Sequence, residues 1–319
     1  MSGLELAEWY YREVIFPLIR ENFAEYEKKI AVGLAGEGSQ CLGFDDELSR
    51  DHDWGASVCL WLTEEDWPEI APTLIPALKK LPARFHDYPC DNVTALGAGR
   101  TGVLTVEGFY RKFLGCASVP QTWEQWLIIP EHHLAMATNG KVFRDDLGAF
   151  TRIRETLLRG YPEDIRKKRL AYFCIQAAQS GQYNLGRIVR RGDCVAAQLA
   201  LSEFVRASLT AVYLLNNRYA PYYKWMFQGL KNLPRLAKAV QPLYLELCGE
   251  IPWRERVDLA EAISQQLISE LQRQDLSSST STFLLEHGYQ IHSRIEDESL
   301  RRTNPWVLSC AAQTFPPQR

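Results

Sequence analysis

The first hydrophobic pattern along the chain is helical: Leu6, Trp9, Tyr10, Val14, Leu18, Phe23 and Tyr26 recur at spacings of three and four between charged residues. This predicts an amphipathic helix over residues 4–29, kinked or divided at Pro17. The short apolar run Ile30 to Ala35, ended by Gly36, reads as a strand. A glycine-rich turn, GEGSQCLGFDDELSRDHDWG, leads to a second apolar run, Ala56 to Leu62, also expected as a strand. Residues 65–80 should be helical despite Pro68, Pro72 and Pro76. Residues 103–109 alternate, with Val103, Thr105, Glu107 and Phe109 on one face, which is the period of a strand. Residues 122–138 read as a helix, and an Asn-Gly-Lys turn at 139–141 leads to Val142 and Phe143.

Beyond residue 150 the pattern changes to nearly continuous helix. Residues 161–191, 193–217, 222–240 and 254–275 each carry apolar positions three and four apart, separated by Gly192, the Asn216–Pro221 segment, Pro242 and Pro252. The Ser/Thr tract 277–282 suits a linker or a cap, and the tail from residue 301 reads as irregular. The fold class expected is α+β: a small mixed-sheet domain over residues 1–150, with its N-terminal helix, followed by an all-α helical bundle of about five helices over residues 151–319.

Composition changes this picture little. Hydrophobic residues make up 46% of the 319 and charged residues 24%, ordinary values for globular domains that exclude global disorder. The first twenty residues carry acids throughout and no stretch approaches the length of a membrane span, so a cytoplasmic protein without a membrane partner is expected. Eight scattered cysteines show no paired spacing, which excludes the usual zinc and redox motifs. His132 and His133 read as structural.

Charge is more informative. The net value of −3 hides thirteen Lys and Arg against twenty-three Asp and Glu before residue 151, and twenty-three against sixteen after it. An acidic half and a basic half suit a site that holds a divalent cation on one wall and a polyanion on the other. They equally suit two domains that merely attract each other. Arg166, Lys167, Lys168 and Arg169 form a basic string that reads as a solvated helix face in preference to an RNA contact, so nucleic acid is possible but not the favoured partner.

The candidate chemistry begins with Gly38 and Ser39, just after the first strand, followed by Asp51, His52, Asp53 and Trp54. On a strand, two aspartates one residue apart project to the same side, where both carboxylates can reach one magnesium ion. A Gly-Ser turn lets backbone N–H groups and a hydroxyl approach a phosphate. This order of motifs resembles the nucleotidyltransferase superfamily of the DNA polymerase β type, whose signature is a Gly-Ser pair followed by an acidic, any, acidic triplet. His52 departs from the apolar residue usual between the acids. A small catalytic domain ahead of a helical bundle resembles the kanamycin and streptomycin nucleotidyltransferases. GEGSQCLGFDDELSRDHDWG followed by CLWL, then YPEDIRKKRLAY and YAPYYKW, is most similar to an uncharacterised nucleotidyltransferase-like family.

The resemblance implies a magnesium-dependent enzyme that moves a nucleoside monophosphate, AMP from ATP, to a hydroxyl of a small-molecule or macromolecular acceptor and releases pyrophosphate. Asp51 and Asp53 would hold the metal ions, and Gly38 and Ser39 the phosphates. Glu107 is the candidate third carboxylate, as metal ligand or base, with Asp145, Asp146 and Glu203 as alternatives. Arg218, Tyr223 and Lys224 lie in a segment rich in cations and aromatics, suited to a triphosphate and a base, or to packing two helices. Two competing expectations are a nucleotide-binding sensor or interaction module without catalysis, and nucleotide addition to RNA.

Overall fold

The computed structural model describes residues 1–50, 53–90, 97 and 99–308. The chain divides into two compact units: Met1–Pro120 with His132–Arg159, and Gln121–Glu131 with the chain from Gly160 onward.

In the first unit, Ser2 caps helix α1 (Gly3–Tyr10) through a reciprocal bond with Glu5, and a wider π turn at Tyr11–Ile15 runs on into α2 (Phe16–Asn22). Pro17 stands at the start of α2 immediately after the π turn, and the helical backbone runs on through it. A 3₁₀ segment, Ala24–Lys29, replaces the last part of the expected helix. Strand β1 (Ala31–Leu34) follows, then the short helix α3 (Ser39–Leu42), strand β2 (Cys59–Leu62) and helix α4 (Trp67–Leu78). A two-residue ladder of β3 (Arg84–Phe85) and β4 (Tyr88–Pro89) precedes β5 (Gly102–Thr105).

Here the alternation in the sequence misleads. The strand predicted over 103–109 ends at Thr105, whose Oγ1 accepts the Gly108 N–H at 2.9 Å and starts helix α5 (Val106–Leu114). A threonine cap outweighs a coincidental two-residue period. Likewise the helix expected over 122–138 is two. One is α6 (Trp123–Ile128), opened by a Thr122–Gln125 capping box and belonging to the second unit. The other is α7 (Glu131–Thr138), separated from it by Pro130.

Strand β6 (Lys141–Arg144) completes a four-stranded mixed sheet of order β5-β2-β1-β6. β1 pairs antiparallel with both β2 and β6, and β2 runs parallel to β5 with Cys59 opposite Gly102 and Leu62 opposite Thr105. Helix α8 (Ala149–Leu158) covers this sheet: Phe150 stacks on Trp61 of β2 at 3.9 Å, and its carbonyl takes the Tyr110 hydroxyl at 3.0 Å. That packing keeps α8 in the first unit, so the division falls at Arg159 and Gly160 rather than at 150 and 151.

The second unit is helical, as its periodicity predicts. Helix α9 (Glu163–Ala177) runs through a π segment into α10 (Gly186–Arg191), and Asp193 caps the long α11 (Cys194–Leu215). The helix expected over 222–240 is divided into α12 (Tyr223–Leu230) and α13 (Ala237–Leu247) at Leu236, which takes a left-handed backbone. Pro242 lies inside α13 and does not break it. Helices α14 (Trp253–Arg273), α15 (Leu284–Ser293) and α16 (Glu298–Arg301) follow. The Ser/Thr tract is pinned to α15, with Ser277 hydrogen-bonded to Gln290 at 2.6 Å and to His287 at 2.8 Å. Helix α11 is long and apolar enough to cross a membrane, yet Phe204, Ala207, Val212 and Leu214 are buried inside the unit, the pattern of a core helix.

The basic string on α9 does not form a solvated face. Lys168 and Arg169 are 1% and 2% exposed. Lys168 donates to the Asn304 carbonyl at 2.6 Å, and one Arg169 nitrogen serves the carbonyls of Trp126, Leu127 and Ile129, the C-terminal end of α6 and its exit. Arg169 thus ties residues 121–131 into the second unit. Its guanidinium lies 4.9 Å over the Tyr161 ring, and Glu131 Oε1 stands 3.8 Å from Nη1 without a hydrogen bond of its own.

Burial raises the Glu131 carboxyl to about 7, against the attraction of Arg169 and Arg206. An acid whose value rises on folding is protonated longer in the folded chain than in the unfolded one. From this group, stability therefore falls as pH climbs from the ordinary glutamate range to about 7. Glu131→Gln removes that slope: its gain in melting temperature over the parent should be larger at pH 8 than at pH 5, measured by thermal denaturation at both. In the first unit, Phe150→Ala empties the slot over Trp61 and is expected to cost about 3–5 kcal/mol in denaturant unfolding.

Candidate functional site

The Gly-Ser turn is built at the end of β1. Gly36 and Gly38 adopt φ of 113° and 109°, a region closed to residues with a Cβ, so the chain can reverse into α3 only because both are glycine. Asn139 holds the turn from its side: its Oδ1 accepts the Gly36 N–H and its Nδ2 donates to the Gly36 carbonyl, both at 2.8 Å. The Asn-Gly-Lys turn therefore does more than reverse the chain. Arg154 clamps it in place by donating to the Asn139 and Gly140 carbonyls at 3.2 and 3.1 Å. Gly38 is exposed and Ser39 half-buried, and no side chain caps α3, which leaves the turn open on its outer side.

Asp53 does not lie on a strand. It sits in a bend with φ of 52°, six residues before β2 begins, and its carboxylate is one-tenth exposed. Arg100 meets it: Nη1 donates to Asp53 Oδ2 at 3.0 Å, while Nε donates to Glu37 Oε2 at 3.1 Å. Lys112 of α5 donates to the same Glu37 oxygen at 2.7 Å. The Arg100 carbonyl takes the Cys59 thiol at 3.3 Å, which fixes the residue at the start of the β2–β5 pairing. Two acids and two bases thus converge at the turn. Sequence reading passed over Glu37, Arg100 and Lys112, because they lie far apart in the chain and none belongs to a recognised spacing. Glu37 inside the Gly-Glu-Gly-Ser turn was the one local signal. Asp51 and His52 lie outside the described residues.

Beside this cluster opens a cavity of about 270 Å³. Its polar edge is Glu37, Arg100 and Lys112, and its walls include Trp67, Phe109 and Phe113. A smaller void of about 20 Å³, room for one water, lies between Glu37, Gln40, Asp53 and Arg100.

Glu107 stands elsewhere. In the first turn of α5 it accepts the Glu64 N–H at 3.0 Å, beyond the far end of β5 from Arg100. Four strand residues separate those ends by roughly 10 Å. Its place as third carboxylate beside Asp53 therefore fails on position, for the reason that Thr105 had already ended the strand. Asp145 accepts the Thr151 N–H at 2.7 Å at the start of α8, and Asp146 pairs with Arg144 on the opposite edge strand, so both serve local structure.

In the second unit, Arg218 and Lys224 are exposed, with Lys224 over the Trp225 ring at 5.3 Å. Tyr223 is 68% exposed and its ring leans on Tyr222 at 4.5 Å. Glu203 pairs with Arg206 at 2.5 Å. In the first unit, His133 Nδ1 donates to the Phe113 carbonyl at 3.1 Å, a structural contact.

Magnesium is implied by the family resemblance, and the donor set can be tested against it. Among the described residues no group of three or more His, Cys, Asp or Glu side chains is placed to share a metal ion, and Arg100 already occupies one oxygen of Asp53. The described residues do not by themselves fit a magnesium site.

Residues 126–226 match a family model described as a domain of unknown function, DUF4037. No curated protein matches the chain. Among solved structures, a nucleotidyltransferase-like protein from Exiguobacterium sibiricum 255-15 is similar at 13% identity and a TM-score of 0.38, over 81% of this chain and 76% of that one. A likeness at that level carries no functional weight. The geometry of the turn stands by itself, and it generates an expectation: Gly38→Ala places a Cβ at a φ of 109° and should cost about 1–3 kcal/mol of stability, read by chemical denaturation, through strain in the turn.

Proposed function

We propose that the first unit binds a nucleoside triphosphate at the Gly36–Ser39 turn and that the protein transfers its nucleoside monophosphate, AMP from ATP, to a hydroxyl acceptor. The observation that carries this reading is the cavity beside the turn, with cationic Arg100 and Lys112 at its edge and Trp67, Phe109 and Phe113 in its walls. Phosphate oxygens call for backbone N–H groups and charge-assisted donors, and a purine calls for flat apolar surface. In the transfer, a bond forms between the acceptor oxygen and the α-phosphorus as the bond to pyrophosphate breaks.

Glu37 and Asp53 neutralise Arg100 and Lys112, so the site presents no net positive charge to a bare triphosphate. Gly38 and Ser39 would face the terminal phosphates. Asp53, and Asp51 two residues before it, remain the proposed acidic residues of the reaction.

One observation favours a second reading. An Asp53 held by Arg100 suits a unit that binds a nucleotide without turning it over, as a sensor or interaction module does.

Calorimetric titration of the full chain with ATP and magnesium, followed by a pyrophosphate-release assay with fractionated lysate as acceptor source, tests both readings. Binding with pyrophosphate release is expected. Lys112→Met should weaken binding about tenfold or more, the size of one charge-assisted contact, and Asp53→Asn should abolish release in a folded chain. Binding without release under every acceptor fraction supports the sensor, and failure to bind any nucleoside triphosphate overturns both.

A further inference from the structure

The second unit carries a cavity of its own, larger than the one beside the glycine turn. There α11, α12 and α14 line an open cavity of about 430 Å³. Its apolar lining comes from Leu201, Leu209 and Met226, each under 7% exposed, and from Val205. Two guanidinium groups reach it, Arg206 and Arg256, against one lining carboxylate, Glu203, already paired with Arg206. Arg256 is fixed in place: it donates to the Gly249 carbonyl at 2.8 Å and lies 4.5 Å over the Trp253 ring. Its Nε is buried and has no hydrogen-bond partner. Glu131 also acts on Arg206, but burial holds its carboxyl toward the neutral form.

We propose that this cavity binds a small organic anion with a flat apolar body, such as an aromatic carboxylate. Among the described residues no carboxylate pairs with Arg256, so an incoming carboxylate can form a charge-assisted pair with its guanidinium. One uncompensated guanidinium selects a single negative charge. The aliphatic floor takes the body of the ligand, and the exposed Tyr223 ring stands at the rim, where it can stack on an aromatic face. Every contact comes from the helical unit, so the proposal is independent of nucleotide binding at the glycine turn.

Titration of the full chain with 2-naphthoate, alongside its neutral analogue 2-naphthol, tests the proposal by fluorescence and calorimetry. One saturable naphthoate site per chain is expected, with 2-naphthol at least tenfold weaker. Arg256→Met should remove the preference for the anion. Ser202→Trp, which places a large ring on an exposed lining position without touching the core, should block the site in a chain whose melting temperature is unchanged. Lys112→Met should leave naphthoate binding as it was. Absence of saturable binding, equal affinity for the two probes, or binding that survives Ser202→Trp overturns the proposal.

Discussion

Arg100 is the residue on which the candidate site depends. A single guanidinium joins Glu37, in the turn after β1, to Asp53, in the bend before β2, and its own carbonyl is tied to Cys59 of β2. Neither carboxylate belongs to a strand or a helix, so regular backbone bonding fixes neither. The planar donor fork of arginine meets both at once from two fixed directions. With Lys112 on the same Glu37 oxygen, the result is an electrically balanced cluster at the mouth of an aromatic-walled cavity. A polyanion entering there, as proposed, would exchange partners with existing carboxylates instead of filling a bare positive pocket.

A similar arginine serves the second unit. Arg169 collects three carbonyls at the end of α6 and so draws residues 121–131 away from the unit that precedes and follows them in sequence. In both units, the cations that matter structurally are those whose chain neighbours give no hint of it. Lys168 and Arg169 stand in a run of four bases that hydropathy assigns to solvent, yet main-chain oxygens take them into the interior.

What the sequence made legible were the features set by local physics. The strands at 31–34 and 59–62 follow from short apolar runs ended by turn residues, and the helical second half follows from its three- and four-residue spacing. The turn at Gly36–Ser39 was readable because only glycine tolerates its backbone. The errors also have physical causes. Alternation at 103–109 mimicked a strand, while the Thr105 cap converted its second half to helix and carried Glu107 away from Asp53. Pro130 and Leu236 divided helices that periodicity alone would have joined. The partners of Asp53 and Glu37 were not readable, since Arg100 and Lys112 meet them across forty-seven, sixty-three and seventy-five residues of chain.

The central claim is that nucleotide phosphates meet the chain at the Gly36–Ser39 turn. Its most direct measurement is the amide and arginine side-chain NMR spectrum of the isotope-labelled full chain during titration with ATP and magnesium. The account expects saturable shifts concentrated at Gly36, Glu37, Gly38 and Ser39 and at the Nε–H of Arg100. A spectrum unchanged at those positions, while nucleotide binding is registered elsewhere in the chain, would contradict it.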